Sequence, residues 1–147
     1  MADSQAVQVH FMSKIYQDGG DESYQVDAPG SLIVRGDSAY LTYIEQLPDQ
    51  DEVEVLFKFK DEGIRLNRKG PQNNHMAFEL DQKRNFKYET AAGPMQLTTR
   101  ATEIERDFDL EAGRGELGLN YILYQGDQVL GQYRVELQFE PKLSTLD

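Results

Sequence analysis

Apolar and polar residues alternate along most of the chain, and the alternation is clearest over residues 93–139. Three stretches in this region carry apolar residues at every second position, which predicts β-strands with one buried face and one wet face. A turn at residues 125–128 joins the last two stretches into a hairpin. The residues in the apolar phase are Met95, Leu97, Thr99 and Ala101; Leu117, Leu119, Tyr121 and Leu123; and Val129, Gly131, Tyr133, Val135, Leu137 and Phe139.

Shorter alternating stretches of the same kind fill the first half of the chain. The first long strand has Val7, Val9 and Phe11 on its apolar face, and the dipeptide Pro29-Gly30 is expected to end the second strand. Turn-forming residues recur about every 8–12 residues and no stretch has a convincing helical period, which is typical of a sandwich or a barrel. We expect about nine or ten strands, each joined to the next by a short turn.

These strands predict an all-β fold, a single antiparallel up-and-down barrel over residues 1–147 in which residues 1–5 and 142–147 are frayed ends. Closing such a meander removes the exposed sheet edges that favour aggregation. Residues 101–110 break the pattern, because Thr99 and Ala101 are in the odd-numbered phase whereas Ile104 and Phe108 are in the even-numbered one. We expect a β-bulge at this phase change; a short helical turn is the alternative.

The composition is that of one domain without cysteine. A chain of 147 residues can bury a core without disulfides, and the lack of cysteine excludes thiol nucleophiles, zinc ribbons and iron–sulfur clusters. The first five residues have neither a basic start nor an apolar core, and no apolar run approaches the roughly 20 residues of a membrane-spanning helix. We therefore expect a soluble protein of the cytoplasm.

The charge balance is strongly acidic, with 26 acidic residues against 15 basic ones and a formal net charge of −11. Binding a nucleic-acid backbone requires a basic face, and the basic residues form no run longer than pairs such as Lys83-Arg84. An acidic surface also repels anionic membranes. The sequence therefore predicts neither nucleic acid nor membrane as a partner.

Three motifs resemble functional sites but are better explained by structure. Residues 113–118 match G-x-G-x-x-G, yet an alternating strand follows instead of the helix that a dinucleotide site needs, so we interpret them as a glycine-rich turn. Alternate acidic residues from Glu103 to Glu111 form a straight ladder that offers at most a weak surface cation site. His10 and His75 lack ligands at metal spacing. We predict no cofactor, no metal site and no catalytic residue.

A set of short motifs extends over nearly the whole chain: Tyr40-Leu41-Thr42-Tyr43-Ile44-Glu45, Arg68 with Gly70, Tyr88 with Gly93, Leu97-Thr98-Thr99, Asp107-Phe108-Asp109-Leu110-Glu111 with Gly113, and Tyr121. In these motifs the chain resembles the YwiB-like family of uncharacterised bacterial β-barrel proteins. The resemblance implies an up-and-down barrel of the calycin (lipocalin-like) type in a bacterial cytoplasm. It brings no catalytic residues, and lipocalin-like ligand binding would follow from it only by analogy of fold.

Five polar side chains fall in the apolar phase and are therefore candidates for the barrel interior: Arg68, Tyr88, Thr99, Tyr121 and Tyr133. A buried guanidinium is costly unless it is paired, and it is well shaped to hold a carboxylate or a phosphate. Tyrosines add an apolar wall with a polar tip. The first hypothesis is that the interior binds a small amphipathic or anionic ligand at these residues. The alternative is an ion pair between Arg68 and an acid such as Glu45, with tyrosines that fill the core.

Two other classes of function stay open at this point. A non-enzymatic interaction or structural protein would act through an outer apolar patch, in its simplest form as a homodimer. An enzyme has the least support, because the sequence does not say which carboxylates converge. The residues proposed for the patch are off the main apolar phase; they are Leu41, Tyr43, Leu56, Ile122, Tyr124 and Leu130.

Overall fold

The structure is a computed structural model that describes residues 4–17, 20–61, 63–71 and 73–142. Within these ranges it contains ten β-strands and no helix. The three strands predicted over residues 93–139 are all present, as the eighth, ninth and tenth. The strands are β1 (Ser4–Gln17), β2 (Gly20–Arg35), β3 (Ser38–Glu45), β4 (Val53–Phe59), β5 (Ile64–Lys69), β6 (Asn74–Phe78), β7 (Lys83–Thr90), β8 (Gly93–Asp109), β9 (Arg114–Gln125) and β10 (Gln128–Pro141).

All ten strands belong to one antiparallel sheet with the order β6-β5-β4-β3-β2-β1-β10-β9-β8-β7. The first and last strands of the chain therefore pair with each other, and the two ends of the sheet, β6 and β7, meet at a seam. Near this seam the Thr99 hydroxyl of β8 donates to the Ala77 carbonyl of β6 at 2.9 Å, and the Asp81 N–H donates to the Ala101 carbonyl at 2.8 Å. The result is a nearly closed up-and-down barrel, which confirms the predicted fold class.

One end of the barrel interior is closed by aromatic side chains. The ring centres of Phe59 and Phe108 lie 4.8 Å apart, and those of Phe108 and Phe139 lie 5.6 Å apart. Gly115 leaves space for these rings, since a Cβ atom there would lie 2.6 Å from Phe108. Arg106 reaches across this end and donates to two backbone carbonyls of the turn between β4 and β5. We call this the closed end.

Two β-bulges set the phase of the last three strands. In β8 the register shifts between Ala101 and Glu103, which confirms the predicted bulge and rejects the helical turn. In β10 a second shift lies between Val129 and Gly131, and Val129 is 52% exposed. The predicted inward position of Val129 is therefore wrong, because an extra residue in the strand reverses the phase of the residues before it.

The predicted strand break at Pro29-Gly30 is also wrong, because β2 runs through both residues. Pro29 pairs only with β1, and pairing with β3 begins at Gly30, so the N–H group that proline lacks is not needed on the β3 side. A Cβ atom on Gly30 would lie 2.6 Å from the Thr42 carbonyl oxygen. Close approach of β3, and not a turn, explains this glycine.

The ends of the chain are more ordered than predicted where the structure describes them. Ser4 and Gln5 pair with Ile33 and Leu32 as part of β1. The Lys142 N–H donates to the Ala6 carbonyl at 3.1 Å and extends the pairing of the terminal strands. The other residues predicted to be frayed, 1–3 and 143–147, lie outside the described residues.

Candidate functional site

The inner face of the barrel becomes polar toward the end opposite the closed end. Tyr43 and Arg68 lie on either side of Val55 in the sheet, and Asn74 is directly opposite Arg68. Glu45 follows Tyr43 by two residues and therefore shares its face. From the other side of the barrel, Tyr121 is close enough for the charge of Arg68 to act on it. We call the set the mouth cluster; its members are Tyr24, Tyr43, Glu45, Arg68, Asn74, Tyr121 and Tyr133.

The charged part of the mouth cluster is an ion pair between Arg68 and Glu45. The Nη2 group of Arg68 donates to Oε2 of Glu45. The Glu45 side chain is only 3% exposed, whereas that of Arg68 is 22% exposed. Burial lowers the pKa of Arg68, but the hydrogen bond with Glu45, the phenol groups of Tyr24 and Tyr43 and the charge of Glu45 together more than offset this effect, so the pKa of Arg68 is raised. The guanidinium therefore stays charged, and its charge is compensated inside the barrel.

Aromatic rings form the wall around this ion pair. The rings of Tyr121 and Tyr133 are stacked with centres 4.8 Å apart, and Phe78 packs 4.6 Å from Tyr121. Burial raises the pKa of Tyr43 and of Tyr121 far above the ordinary value of a phenol. Their hydroxyls are therefore neutral at any physiological pH. The wall offers ring faces and neutral hydroxyl groups but no second charge.

Three buried polar atoms of the mouth cluster have no hydrogen-bond partner among the described residues. They are the hydroxyl of Tyr43, Oε1 of Glu45 and Oδ1 of Asn74. A buried polar atom without a partner costs about 1–3 kcal/mol, and the great majority of such atoms in native proteins are paired. All three atoms can accept a hydrogen bond, and only the Tyr43 hydroxyl can also donate one. The cluster therefore has acceptor atoms that are not used by the described residues.

The structure brings most of the five predicted site residues together. Arg68, Tyr121 and Tyr133 are members of the mouth cluster, and Glu45, named from the sequence as a candidate partner of Arg68, is its partner. Tyr88 lies at the outer rim with 36% exposure, near enough to Tyr133 to add to the effect of burial in raising the pKa of Tyr133. Thr99 is fully buried, but its hydroxyl is used at the seam and does not point to a shared site.

Sequence reasoning missed Tyr24, Tyr43 and Asn74 as site residues. Tyr24 is in phase with the buried Val26, and Asn74 is in phase with Phe78, so the alternation of their strands was sufficient to find both. Tyr43 was harder to assign, because β3 is apolar on both faces and its inward phase is not evident from the pattern. The inward phase of β3 is fixed by pairing with β4, which only the tertiary structure shows.

The outer apolar patch proposed as an alternative is not one surface. Leu41 and Tyr43 are 0% and 4% exposed and belong to the core, so their assignment to the patch is wrong. Leu56 lines an outer groove of about 830 Å³, together with Pro29, Ile44 and Asn67. Ile122 lines a different depression on the far side of the sheet. The part of this hypothesis that is considered further is the groove at Leu56, which Ile44 also lines.

The histidines and the acidic ladder belong to the outer surface of the barrel. No group of three or more candidate metal ligands occurs within the residues that the structure describes. His10 lies between two carboxylates, with Nδ1 2.6 Å from Asp27 and Nε2 3.1 Å from Glu140. His75 contacts Asn67 at 3.0 Å on the outer face. The acidic residues at positions 105–111 of the ladder alternate outward and are exposed.

The fold and the mouth cluster define a small all-β protein, a ten-stranded up-and-down barrel with one end closed by aromatic rings and a polar opposite end. The chain belongs to the family described as Domain of unknown function (DUF1934), whose model matches residues 9–137. It is 25% identical over 134 residues to the uncharacterized beta-barrel protein YwiB of Bacillus subtilis (strain 168), an alignment that covers 91% of this chain and 92% of YwiB.

A solved structure extends this similarity to three dimensions. The crystal structure of the ywiB protein from Bacillus subtilis superimposes with a TM-score of 0.82 at 21% identity, over 95% of this chain and 94% of that chain. The likeness establishes the barrel fold and leaves the function open. In the part of the chain described here, no helix is long and apolar enough to cross a membrane.

Proposed function

We propose that the barrel binds a small amphipathic molecule at the mouth cluster. The polar end of the molecule contacts the unpartnered atoms beside the Arg68–Glu45 ion pair, and its apolar part lies against the rings of Tyr121 and Tyr133. The observation that carries the proposal is the set of three buried, unpartnered polar atoms at one end of a largely apolar core. Ligand sites commonly combine an apolar wall with a few polar groups of this kind.

The burial of these atoms supports this function. Two unpartnered atoms, on Tyr43 and Glu45, belong to side chains that are 4% and 3% exposed, so bulk water does not solvate them freely. Natural proteins retain such local costs mainly at functional positions, because a purely structural core would replace the polar groups by apolar ones. The closed end of the same barrel follows that rule, since it is built from phenylalanine rings.

Binding of matched six-carbon probes tests the proposal. Hexanol, hexylamine and hexanoate would be titrated into the protein by calorimetry, with thermal shift as a second readout. At least one probe should bind, and the Tyr43→Phe variant should weaken that binding. The Ile44→Ser variant, which changes the outer groove instead, should leave it unchanged. Lack of binding by all three probes, or loss of binding only in Ile44→Ser, would overturn the proposal.

A second candidate function is protein interaction through the outer groove. The groove is lined by apolar side chains such as Leu56 and Ile44, and Ile44 is 43% exposed. A homodimer formed through this face should dissociate in the Ile44→Asp variant when it is measured by sedimentation velocity. A monomer at all accessible concentrations argues against self-association through this face.

The location in a bacterial cytoplasm stays a prediction.

A further inference from the structure

We infer that the polar end of the ligand is a protonated primary amine and not a carboxylate. This inference rests on the proposed function and assigns the chemical class of the ligand at the same site. It differs from the expectation drawn from the sequence, in which Arg68 attracts an anion. The difference comes from the position of Glu45, which the sequence could not fix.

The unpartnered atoms of the mouth cluster match a donor and not an acceptor. Two of the unpartnered atoms belong to consecutive inward residues of β3, Tyr43 and Glu45. The third belongs to Asn74 of β6, which pairs with Arg68 of β5. A carboxylate and an amide oxygen only accept hydrogen bonds. An ammonium group carries three donors and no acceptor, so its hydrogen-bonding capacity matches atoms of this kind. A carboxylate ligand would leave Glu45 Oε1 unpaired.

The distribution of charge favours the same choice. Arg68 already donates to Glu45, so the pair is neutral as a whole and the choice depends on which partner faces the interior. Glu45 is the more deeply buried partner, with 3% exposure against 22% for Arg68. The negative member of the pair is therefore less screened by solvent toward the interior. The net charge of −11 on the whole chain also favours the approach of a cation.

The aromatic wall adds a further reason. The rings of Tyr121 and Tyr133 are stacked on each other at the mouth, so Tyr133, the less buried of the two, covers one face of Tyr121, and Tyr24 packs against Phe11 with ring centres 5.7 Å apart. Tyrosine rings attract cations through their negative faces, and the attraction is greater where water is excluded. An alkylammonium can therefore place its charged head near Glu45 while its methylene groups contact the rings. An alkyl carboxylate would place its charge beside the like charge of Glu45.

The matched probes separate this inference from the proposed function. Hexylamine should bind about 10- to 100-fold more tightly than hexanol, because a charge-assisted hydrogen bond replaces a neutral one. Hexanoate should bind more weakly than hexanol. The titrations would be repeated at 0.5 M salt, where attraction between the amine and exposed acidic residues is screened. The preference for the amine should persist there, because the site is buried.

Two variants of the mouth cluster and one control complete the test. Glu45→Gln should reduce hexylamine affinity about tenfold or more and leave hexanol nearly unchanged. If Glu45→Gln does not fold, Tyr43→Phe gives the same information: it should weaken amine binding several-fold without lowering the melting temperature. Tyr40→Phe makes the same chemical change on the outer face and should alter neither. If the Tyr43 hydroxyl had only a structural role, Tyr43→Phe would lower the melting temperature and leave the amine affinity unchanged.

The outcomes distinguish the two claims. If hexanol or hexanoate binds as tightly as hexylamine, the barrel is a binding protein but the amine assignment is wrong. If none of the three probes binds, the proposed function fails and the amine assignment fails with it. Persistence of full amine affinity in both Glu45→Gln and Tyr43→Phe would also refute the assignment, because the amine would then bind elsewhere.

Discussion

Replacing Arg68 by methionine should destabilise the barrel at neutral pH, because it leaves the Glu45 carboxylate buried without its cation. The Glu45 side chain is 3% exposed, so solvent cannot replace the lost partner. Removing one member of a buried ion pair costs about 3–5 kcal/mol. In a domain of this size, about 1 kcal/mol corresponds to roughly 2–4 °C in Tm, so the melting temperature should fall by roughly 6–20 °C.

The pH dependence of this deficit identifies its cause. Without Arg68 the buried Glu45 carboxylate has no compensating charge, and the neutral acid is less costly to bury than the carboxylate. The stability difference between Arg68→Met and the parent protein should therefore shrink as the pH is lowered from 7 toward 4. Denaturant unfolding at several pH values measures this difference directly. The double variant Arg68→Met/Glu45→Gln should recover much of the stability at neutral pH.

An outer ion pair gives the matched control. Arg84 contacts Glu79 on the surface, and these side chains are 45% and 35% exposed. Arg84→Met should cost less than about 1 kcal/mol, since exposed ion pairs contribute little. If Arg68→Met lowers the free energy of unfolding as little as Arg84→Met does, Glu45 is solvated and the mouth cluster does not exclude water. A deficit that is constant from pH 7 to pH 4 would contradict the electrostatic explanation.

Three further predictions concern the rest of the barrel. The pKa of His10 is raised by hydrogen bonds to two carboxylates, and at this exposed site the interaction stabilises the fold by less than about 1 kcal/mol. This stabilisation should be complete below pH ~6.5 and should disappear as the pH rises through the raised pKa. A difference in stability between His10→Gln and the parent protein that does not depend on pH would contradict this. Gly115→Ala should cost about 1–3 kcal/mol in denaturant unfolding, because the added Cβ would lie 2.6 Å from Phe108, and an unchanged midpoint would refute the close packing of the closed end. Thr99→Val should speed amide exchange at the seam and cost about 1–3 kcal/mol, whereas Thr98→Val on the exposed face should do neither; equal effects would show that the seam bond is not important.

The fold was largely predictable because strand pleating imposes a period of two that burial makes visible in the sequence. The three strands over residues 93–139 illustrate this, and so does the bulge after Ala101, where the phase changes. The errors have local causes. Pro29 looked like a strand end because the sequence does not show that the pairing of β2 with β3 stops at Gly30. Val129 was assigned to the wrong face because the second bulge lies next to the turn. The segment before this bulge is too short to show a change of phase in the sequence.

The site was predictable only in part, for a different physical reason. Arg68, Tyr121 and Tyr133 were found because each is a polar residue in the apolar phase of its own strand. Glu45 could be named only as one acid among many, because the partner of Arg68 depends on the register of β3, β4 and β5. The charge that we propose for a ligand depends on that partner. Local pattern therefore indicated an inward cluster, and only long-range pairing determined its chemistry.

The most direct test of the central claim is a crystal structure of the protein with bound hexylamine. Our account predicts the amine nitrogen within about 3 Å of Oε1 of Glu45 and within hydrogen-bond reach of the Tyr43 hydroxyl, with the alkyl chain against Tyr121 and Tyr133. Hexylamine found in the outer groove at Ile44, or anywhere outside the barrel mouth, would contradict it.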